Sequence, residues 1–435
     1  MKINWGISAF EKDKRNPVVW DSRELINGHT LILGDSGTGK SHMLRDLIQQ
    51  MDSTKEGPVR YHVFDAHGDM GIPGSSSVMF SESTRYGYNP LAINPDPHFG
   101  GPRKRIQGFL NGINRTSRKL GSNQESVLRR ILYDLYQANG FRDGEPSTWA
   151  LDDPKWNRQH AKKFPQIIDA LRFANSKAKE LYLGANGETI ANLNLVAKAS
   201  SQYHNKVKGF MKGSEEEKAK LEKEIEGGIT KTVGAFTDYL TSIKTGYELD
   251  NAIKYDSYDV MQSVTARLEN LNGIGIFGSS LPPFDNTVPV WHYNIAPLNE
   301  DEKKLFVHFR LEYLFERAVQ RGEQKRIVEV FVVDEAHLYF SDDADNILNK
   351  TAKELRKFGV ALIAASQSPS HFSPDFLSSV GTKVILGIDQ LYWPACCRLL
   401  SIDTKALQWI QPQRRMIVQM KKTRQQSMTT WVWLN

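Results

Sequence analysis

Gly34-Asp35-Ser36-Gly37-Thr38-Gly39-Lys40-Ser41 has the spacing of a phosphate-binding loop: glycine, four residues, glycine, lysine and a hydroxyl residue. Glycines at these positions let the backbone curl until successive N–H groups converge on phosphate oxygens. A helix opening after the loop adds the positive end of its dipole to the same place. Lys40 is then expected to reach the β- and γ-phosphates of ATP, and Ser41 to put its hydroxyl on Mg²⁺. Far along the chain, Asp334 and Glu335 follow the apolar run Val330-Phe331-Val332-Val333. A strand of that composition carries its carboxylates to the carboxyl edge of a sheet. There, on a strand neighbouring that of the phosphate loop, Asp334 is expected to hold Mg²⁺, directly or through a water. Glu335 is expected to polarise the attacking water as general base.

A second apolar run, Val360–Ala365, ends in Ser366-Gln367-Ser368-Pro369. A polar side chain at such a strand tip can sense a γ-phosphate or orient water, and Gln367 is the candidate. His337 reads as a packing histidine, and His62, His67 and His98 lack the spacing of a metal site. The two cysteines, Cys396 and Cys397, are adjacent, which suits neither a disulfide framework nor a CxxC site. They read as small buried hydrophobes.

The elements that must position these groups are legible in outline. Thr30–Leu33 reads as the first strand, buried and parallel, with about 29 residues before it. Met43, Leu44, Leu47, Ile48 and Met51 share one face of the helix that follows. Tyr61–Phe64 is the next strand, ending at Asp65, so the start of the chain is a strand–helix–strand unit of a parallel sheet. Residues 100–275 carry helical periodicity instead, as in Ser126–Tyr136, Met261–Leu271 and the Glu/Lys alternation of Glu215–Glu226. Strand signals resume at Val288–Ile295, then at Ile327–Val333, Val360–Ala365 and Lys383–Ile388. Helices are expected at Glu300–Arg321 and Asn346–Phe358 between them, and a closing hairpin at Met416–Met420 and Thr429–Leu434. The expected fold class is α/β: a parallel-sheet P-loop domain formed by residues 1–99 and 276–435, interrupted by a mainly helical insertion at 100–275 and ending in a C-terminal β-hairpin.

At 435 residues, 40% hydrophobic and 24% charged, the chain suits two or three folded lobes and not a disordered polymer. No apolar run approaches the ~20 residues that span a bilayer, and no leader-like apolar stretch follows Met1-Lys2, so the expected location is the cytoplasm, without direct membrane insertion. The net charge is +6. From His98 to Arg142 there are nine Lys/Arg against Glu125 and Asp134, and from Asp403 to Asn435 six against Asp403. These segments, with Arg103-Lys104-Arg105 in the first, are the candidate nucleic-acid-facing surfaces.

Taken in order, Gly34–Ser41, Phe64-Asp65-Ala66-His67-Gly68-Asp69, Tyr88-Asn89-Pro90-Leu91, Asp334-Glu335-Ala336-His337, Arg356-Lys357-Phe358-Gly359-Val360 and Ala365-Ser366-Gln367-Ser368-Pro369 resemble the HerA/FtsK superfamily. The set is most similar to the HerA branch and the conjugative type IV secretion ATPases, some of which carry a helical insertion. The resemblance covers the P-loop domain, roughly 250 residues by the domain sizes usual for such folds. It implies a RecA-like fold and a homo-hexameric ring that moves DNA at the expense of ATP, as in conjugative or mobile-element transfer. One branch instead drives secretion of protein or pilus subunits with membrane-embedded secretion components, and a nucleotide-dependent assembly or defence scaffold is a further alternative. The matching arginine, Arg356, is implied to act as a finger on a neighbouring subunit's nucleotide. HerA proteins carry an N-terminal β-barrel, for which the stretch before Thr30 is too short.

Overall fold

The computed structural model of the chain describes residues 1–9, 16–153, 156, 161–183, 187–212, 215–243, 254–255, 257–278, 280–423 and 428–434. They form two compact units. The first comprises Met1–Tyr88, Arg115–Arg118 and Ile274–Asn435, and the second Asn89–Asn114 and Lys119–Gly273.

The first unit is built on one sheet. Its strands in chain order are β1 (Lys2–Ser8), β2 (Pro17–Asp21), β3 (Thr30–Gly34), β4 (Arg60–Asp65), β5 (Ser76–Met79), β6 (Val290–Asn294), β7 (Glu329–Val333), β8 (Val360–Ser366), β9 (Thr382–Gly387), β10 (Arg415–Met420) and β11 (Met428–Trp433). They lie in the order β2-β1-β11-β10-β9-β3-β8-β7-β4-β6-β5. From β9 to β5 every neighbouring pair is parallel. The other strands pair antiparallel, and β10 joins them to β9. Every residue of β3, β7 and β8 is buried, which is why these strands read as continuous apolar runs: a parallel sheet is covered on both faces.

One face is covered by α1 (Lys40–Ser53), which buries Met43, Leu44, Leu47, Ile48 and Met51. They join Ile32, Val63, Val332 and Ile363 in the main core. Phe64 and Tyr293 stack at 4.8 Å, and Phe306 of the helix Glu300–Arg321 meets both of them and Phe80. That helix starts at a capping box: Asn299 Oδ1 accepts the Glu302 N–H, and Glu302 accepts the Asn299 N–H.

Two findings correct the sequence reading. Thr30–Gly34 is not the first strand, because β1 and β2 precede it in the same sheet. Nor are β3 and β7 neighbours. β8 lies between them, because the crossover that follows β7 returns the chain to the gap beside β3.

The second unit is helical; among the described residues it contains no strand. Ser122–Ala138 and Ile167–Leu183 both pack on Tyr258–Gly273, and Gly187–Lys212 pairs along its length with Glu215–Ser242. Among the described residues no helix is long and apolar enough to cross a membrane.

Candidate nucleotide site

β3 ends at Gly34, and the chain turns at once. A Cβ on Gly34 would sit 2.4 Å from Thr38 Oγ1, so only glycine fits there. Gly37 and Gly39 hold φ of 78° and 99°, in the left-handed region that glycine enters without strain. Thr38 closes the turn: its hydroxyl donates to the Asp35 carbonyl at 2.7 Å, and its N–H to the same oxygen at 3.3 Å. The Asp35 N–H donates to the Gly387 carbonyl at 2.9 Å, tying the loop to the end of β9. Gly39 is the N-cap of α1 and supplies no side-chain cap, so the first-turn N–H groups are left for a ligand. Asp35 is half-buried, Ser36 and Gly37 are exposed, and Ser41 is half-buried in the first turn.

Lys40 is buried and folds back along the loop. Its Nζ donates to the Gly34 carbonyl at 2.9 Å and the Asp35 carbonyl at 3.3 Å, and lies 3.8 Å from Glu335 Oε1. The loop and the acids thus share the carboxyl edge of one sheet. Glu335 has φ 46°, a backbone conformation that side chains adopt at a cost of roughly 1–2 kcal/mol. In that conformation its carboxylate faces three cations or potential cations: Lys40, His67 Nε2 at 3.9 Å and His337 Nδ1 at 3.2 Å.

The two acids differ electrostatically. Burial, and then the charge of Glu335, push the Asp334 carboxyl up to about 6. Burial also works against a charge on Glu335, but His337, Lys40 and His67 together hold it below the usual carboxylate range. A neighbouring pair whose environments drive it apart in this way is the usual basis of an acid/base division of labour.

A third acid completes the edge. Asp65 ends β4, directly beside β7. Its Oδ1 accepts the N–H groups of His67 at 3.1 Å and Gly68 at 2.7 Å. Its Oδ2 accepts that of Met70 at 2.9 Å and faces His292 Nε2 at 2.9 Å. Burial disfavours its charge, but His292 and the backbone donors outweigh that and hold its carboxyl low. Carboxylate oxygens of Asp65, Asp69 and Asp334 all lie within 4.8 Å of one another. Such hard oxygen donors suit Mg²⁺. Because Asp65 already accepts along both oxygens, Asp334 and Asp69 are the better ligands of the three.

The sequence reading assigned no role to Asp65, His67 or Asp69. The signal was an apolar strand ending in aspartate, the same one that marked Asp334. His337, expected as a packing histidine, also lies against the acids. It sits on Glu335 and its ring stacks on His371 at a centroid distance of 4.7 Å, and Ser366 Oγ lies 3.1 Å from His371 Nδ1.

The other candidates fall in different places. Gln367 is exposed at the tip of β8, on the same carboxyl edge, between the strands carrying the loop and the acids. Arg356 is exposed in the turn Leu355–Phe358, before β8 begins. Its charge adds to burial in lowering His29, which lies just before β3. Arg356 therefore occupies the amino edge of the sheet, roughly 20 Å from the carboxyl edge at the usual rise of a seven-residue strand. Arg103 and Lys104 are exposed on the helix Pro102–Thr116, and Arg105 is half-buried. Of the C-terminal cations, Lys422 pairs with Glu24 at 2.9 Å, Lys421 Nζ donates to the Ser378 carbonyl at 2.7 Å, and Arg415 covers the Trp433 ring. Arg424 lies outside the described residues. Cys396 is buried and Cys397 half-buried, and neither is in a disulfide.

Known proteins resemble this chain in sequence and in fold. The DNA double-strand break repair helicase HerA of Pyrococcus furiosus is 31% identical over 147 residues, 25% of this chain and 27% of that protein. HerA of Sulfolobus acidocaldarius is 26% identical over 245 residues, 53% of this chain and 48% of that protein. A probable helicase of Methanocaldococcus jannaschii is 22% identical over 384 residues, 86% of this chain and 59% of that protein. The chain thus spans between about a quarter and three-fifths of the length of these relatives. Among solved structures, VirB4 of Thermoanaerobacter pseudethanolicus superposes with a TM-score of 0.65 at 14% identity, over 100% of this chain and 96% of that one. The conjugative coupling protein TrwB, in a form with sulphate, gives 0.52 at 11% identity, over 100% and 93%. These likenesses identify the fold as the RecA-like α/β fold of P-loop ATPases. The family model for the central domain of helicase HerA matches residues 7–307, more than half of the sequence, and the chain therefore belongs to the HerA family.

Proposed function

We propose that this chain is an ATP-hydrolysing motor that translocates DNA as a homo-hexameric ring in the cytoplasm. In this reading residues 1–99 and 276–435 form the ATPase body, and 100–275 a helical insertion. The observation that carries it is the 3.8 Å approach of Lys40 Nζ to Glu335 Oε1 on one edge of the sheet, with Asp334 alongside. Gly34–Ser41 would bind the phosphates through backbone N–H groups and the α1 dipole. Lys40 would exchange its loop carbonyls and Glu335 for phosphate oxygens. Ser41 and Asp334 would hold Mg²⁺, which when bound neutralises charge on the transferring phosphoryl. Glu335, released by Lys40, would accept the proton of a water as that water's oxygen attacks the γ-phosphorus and the bond to the ADP oxygen breaks. Gln367 would orient that water.

DNA as the cargo is supported by the HerA relatives, which are DNA repair helicases by name. Exposed Arg103 and Lys104 suit a phosphate backbone followed without reading its sequence. The ring is supported by Arg356, an exposed cation too far from its own chain's Glu335 to serve it.

The test is steady-state ATP hydrolysis with and without single- and double-stranded DNA at low salt. The expected outcome is stimulation that fades as salt rises. Hydrolysis indifferent to DNA, together with no DNA binding at low salt, would overturn the DNA motor. Binding to membrane-embedded secretion components in that case would select a secretion energiser of conjugative type.

A further inference from the structure

We propose that the outward face of the helix Glu215–Ser242 pairs with the same face of a second copy of this chain, as an antiparallel two-helix coiled coil. Glu and Lys dominate this helix as far as Glu226, and there the composition changes. From Gly227 to Ile243 the only charged residues are Lys231 and Asp238.

The stretch carries two rows of residues at alternating steps of three and four. The inner row is Ile225, Gly228, Thr232, Ala235, Tyr239 and Ser242, each partly or fully buried. It faces the helix Gly187–Lys212, since a Cβ on Gly228 would lie 3.3 Å from the Tyr203 ring. The outer row is Ile229, Val233, Phe236, Leu240 and, just past the last turn, Ile243, all between 46% and 59% exposed. The hairpin thus uses mostly small residues for its own contact and leaves the larger apolar side chains in water. A contiguous exposed patch of this kind marks an interaction site.

Its chemistry selects another helix as the occupant. The row repeats about every 3.5 residues, the period of a left-handed coiled coil. Thr230, Thr237 and Thr241 flank it, and their hydroxyls already donate to the carbonyls of Glu226 at 3.1 Å, Val233 at 3.0 Å and Thr237 at 3.0 Å. That flank therefore holds no unmet hydroxyl donor. Lys231 and Asp238 fall on the side opposite the row, at about 3.6 residues per turn. A membrane surface does not suit it. Glu222 and Glu226 occupy the positions of Ile229 and Val233 one heptad earlier, so acids close the row where an interfacial helix carries Lys and Arg.

The same two acids set the orientation. Parallel copies would oppose Glu222 to Glu222 and Glu226 to Glu226, like charge to like. An antiparallel pair keeps the acidic ends apart and lays the uncharged stretch on itself. Five half-exposed apolar side chains present roughly 400 Å², so two copies with their threonine flanks bury about 1,000 Å², the least that a specific interface takes. The contact is isologous, and its two-fold axis doubles whatever assembly the ATPase body forms, a monomer or a ring.

The experiment is light scattering with size exclusion on the full chain. Phe236→Glu puts a charge in the middle of the row at an exposed position, and Lys231→Glu puts one on the opposite side. Wild type and Lys231→Glu should have twice the mass of Phe236→Glu. Under mild oxidation Phe236→Cys should form a disulfide-linked pair above the background of wild type, which carries Cys396 and Cys397. Ile229→Cys should not, because its counterpart lies at the far end of an antiparallel pair. Equal masses for all three proteins, with no Phe236→Cys pair, would overturn the contact. Ready linkage of Ile229→Cys to itself would overturn the antiparallel arrangement. Equal masses, with wild type floating on vesicles of phosphatidylcholine and phosphatidylglycerol and Phe236→Glu not, would make the row a lipid face instead.

Discussion

Glu335 carries the heaviest burden of any single residue. It is buried, its backbone is in the left-handed region, and its charge is maintained by Lys40, His67 and His337. Nothing about packing requires this, since an apolar residue would avoid the desolvation and a glycine the strain. What the arrangement provides is a carboxylate that stays ionised near neutrality while Asp334, one residue earlier, is held near 6. Glu335→Gln keeps the shape and removes the basicity. We expect ATP affinity within a few-fold of wild type and single-turnover hydrolysis slowed by about 10²–10⁴, the usual worth of a general base. Filter binding and a quenched-flow time course separate the two. Hydrolysis at the wild-type rate would mean that another group takes the proton.

At the scale of elements, the end of β3 has the phosphate loop and its start has a buried histidine. His29 is fully buried, and its Nδ1 accepts the Leu362 N–H of β8 at 3.0 Å, so the ring is neutral in the folded chain. Burial, assisted by the charge of Arg356, lowers it to about 4. An unfolded chain returns it to the ordinary value near 6.5. Below that value the unfolded state binds the extra proton, so stability is complete above about pH 6.5 and falls as pH drops toward 4. The loss from this one residue is about 2 kcal/mol at pH 5. His62 is lowered to about 4 by its own burial and adds the same dependence. Urea unfolding at pH 7.5 and pH 5 should show a net drop, offset in part by the Asp334 carboxyl, which at about 6 takes up a proton in the folded state, and His29→Gln should remove about 2 kcal/mol of the histidine loss while lowering stability at pH 7.5. An undiminished drop in the variant would place the acid sensitivity elsewhere. Features contained in one contiguous stretch were legible in the sequence: the loop, the apolar face of α1, and the strands that carry Asp334 and Gln367. Features that depend on distant pairing were not. β1 alternates exposed Lys2 and Asn4 with buried Ile3 and Trp5, but the period breaks at Gly6, where φ is 124° and the register with β2 shifts. The insertion of β8 between β3 and β7 is set by crossovers that leave no mark on local composition. The position of His337 follows from the left-handed turn at Glu335, which a residue-type pattern does not announce.

At the scale of the molecule, the sheet separates two groups that the family motifs place close in sequence. Gln367 and Arg356 flank β8, and the strand carries them to opposite edges. Arg356 lies on the amino edge, away from the loop, so the proposed finger role requires an adjacent copy that presents its amino edge to this carboxyl edge. Heterologous contacts of that kind form a ring when the rotation between copies closes. Arg356→Ala should therefore leave ATP binding by the isolated chain intact and lower assembled turnover by about 10³–10⁵, the range for a finger supplied in trans. Lys40→Ala should be inactive for a different reason, loss of its own site. Mixed together, the two variants should recover activity that neither has alone, because a Lys40→Ala subunit still offers Arg356 to a neighbour whose loop is whole. Recovery should depend on protein concentration through assembly, and should vanish when both substitutions sit on the same chain and are mixed with Arg356→Ala. A mixture no more active than its components would remove the arginine from the interface and leave it a role on the surface of its own subunit.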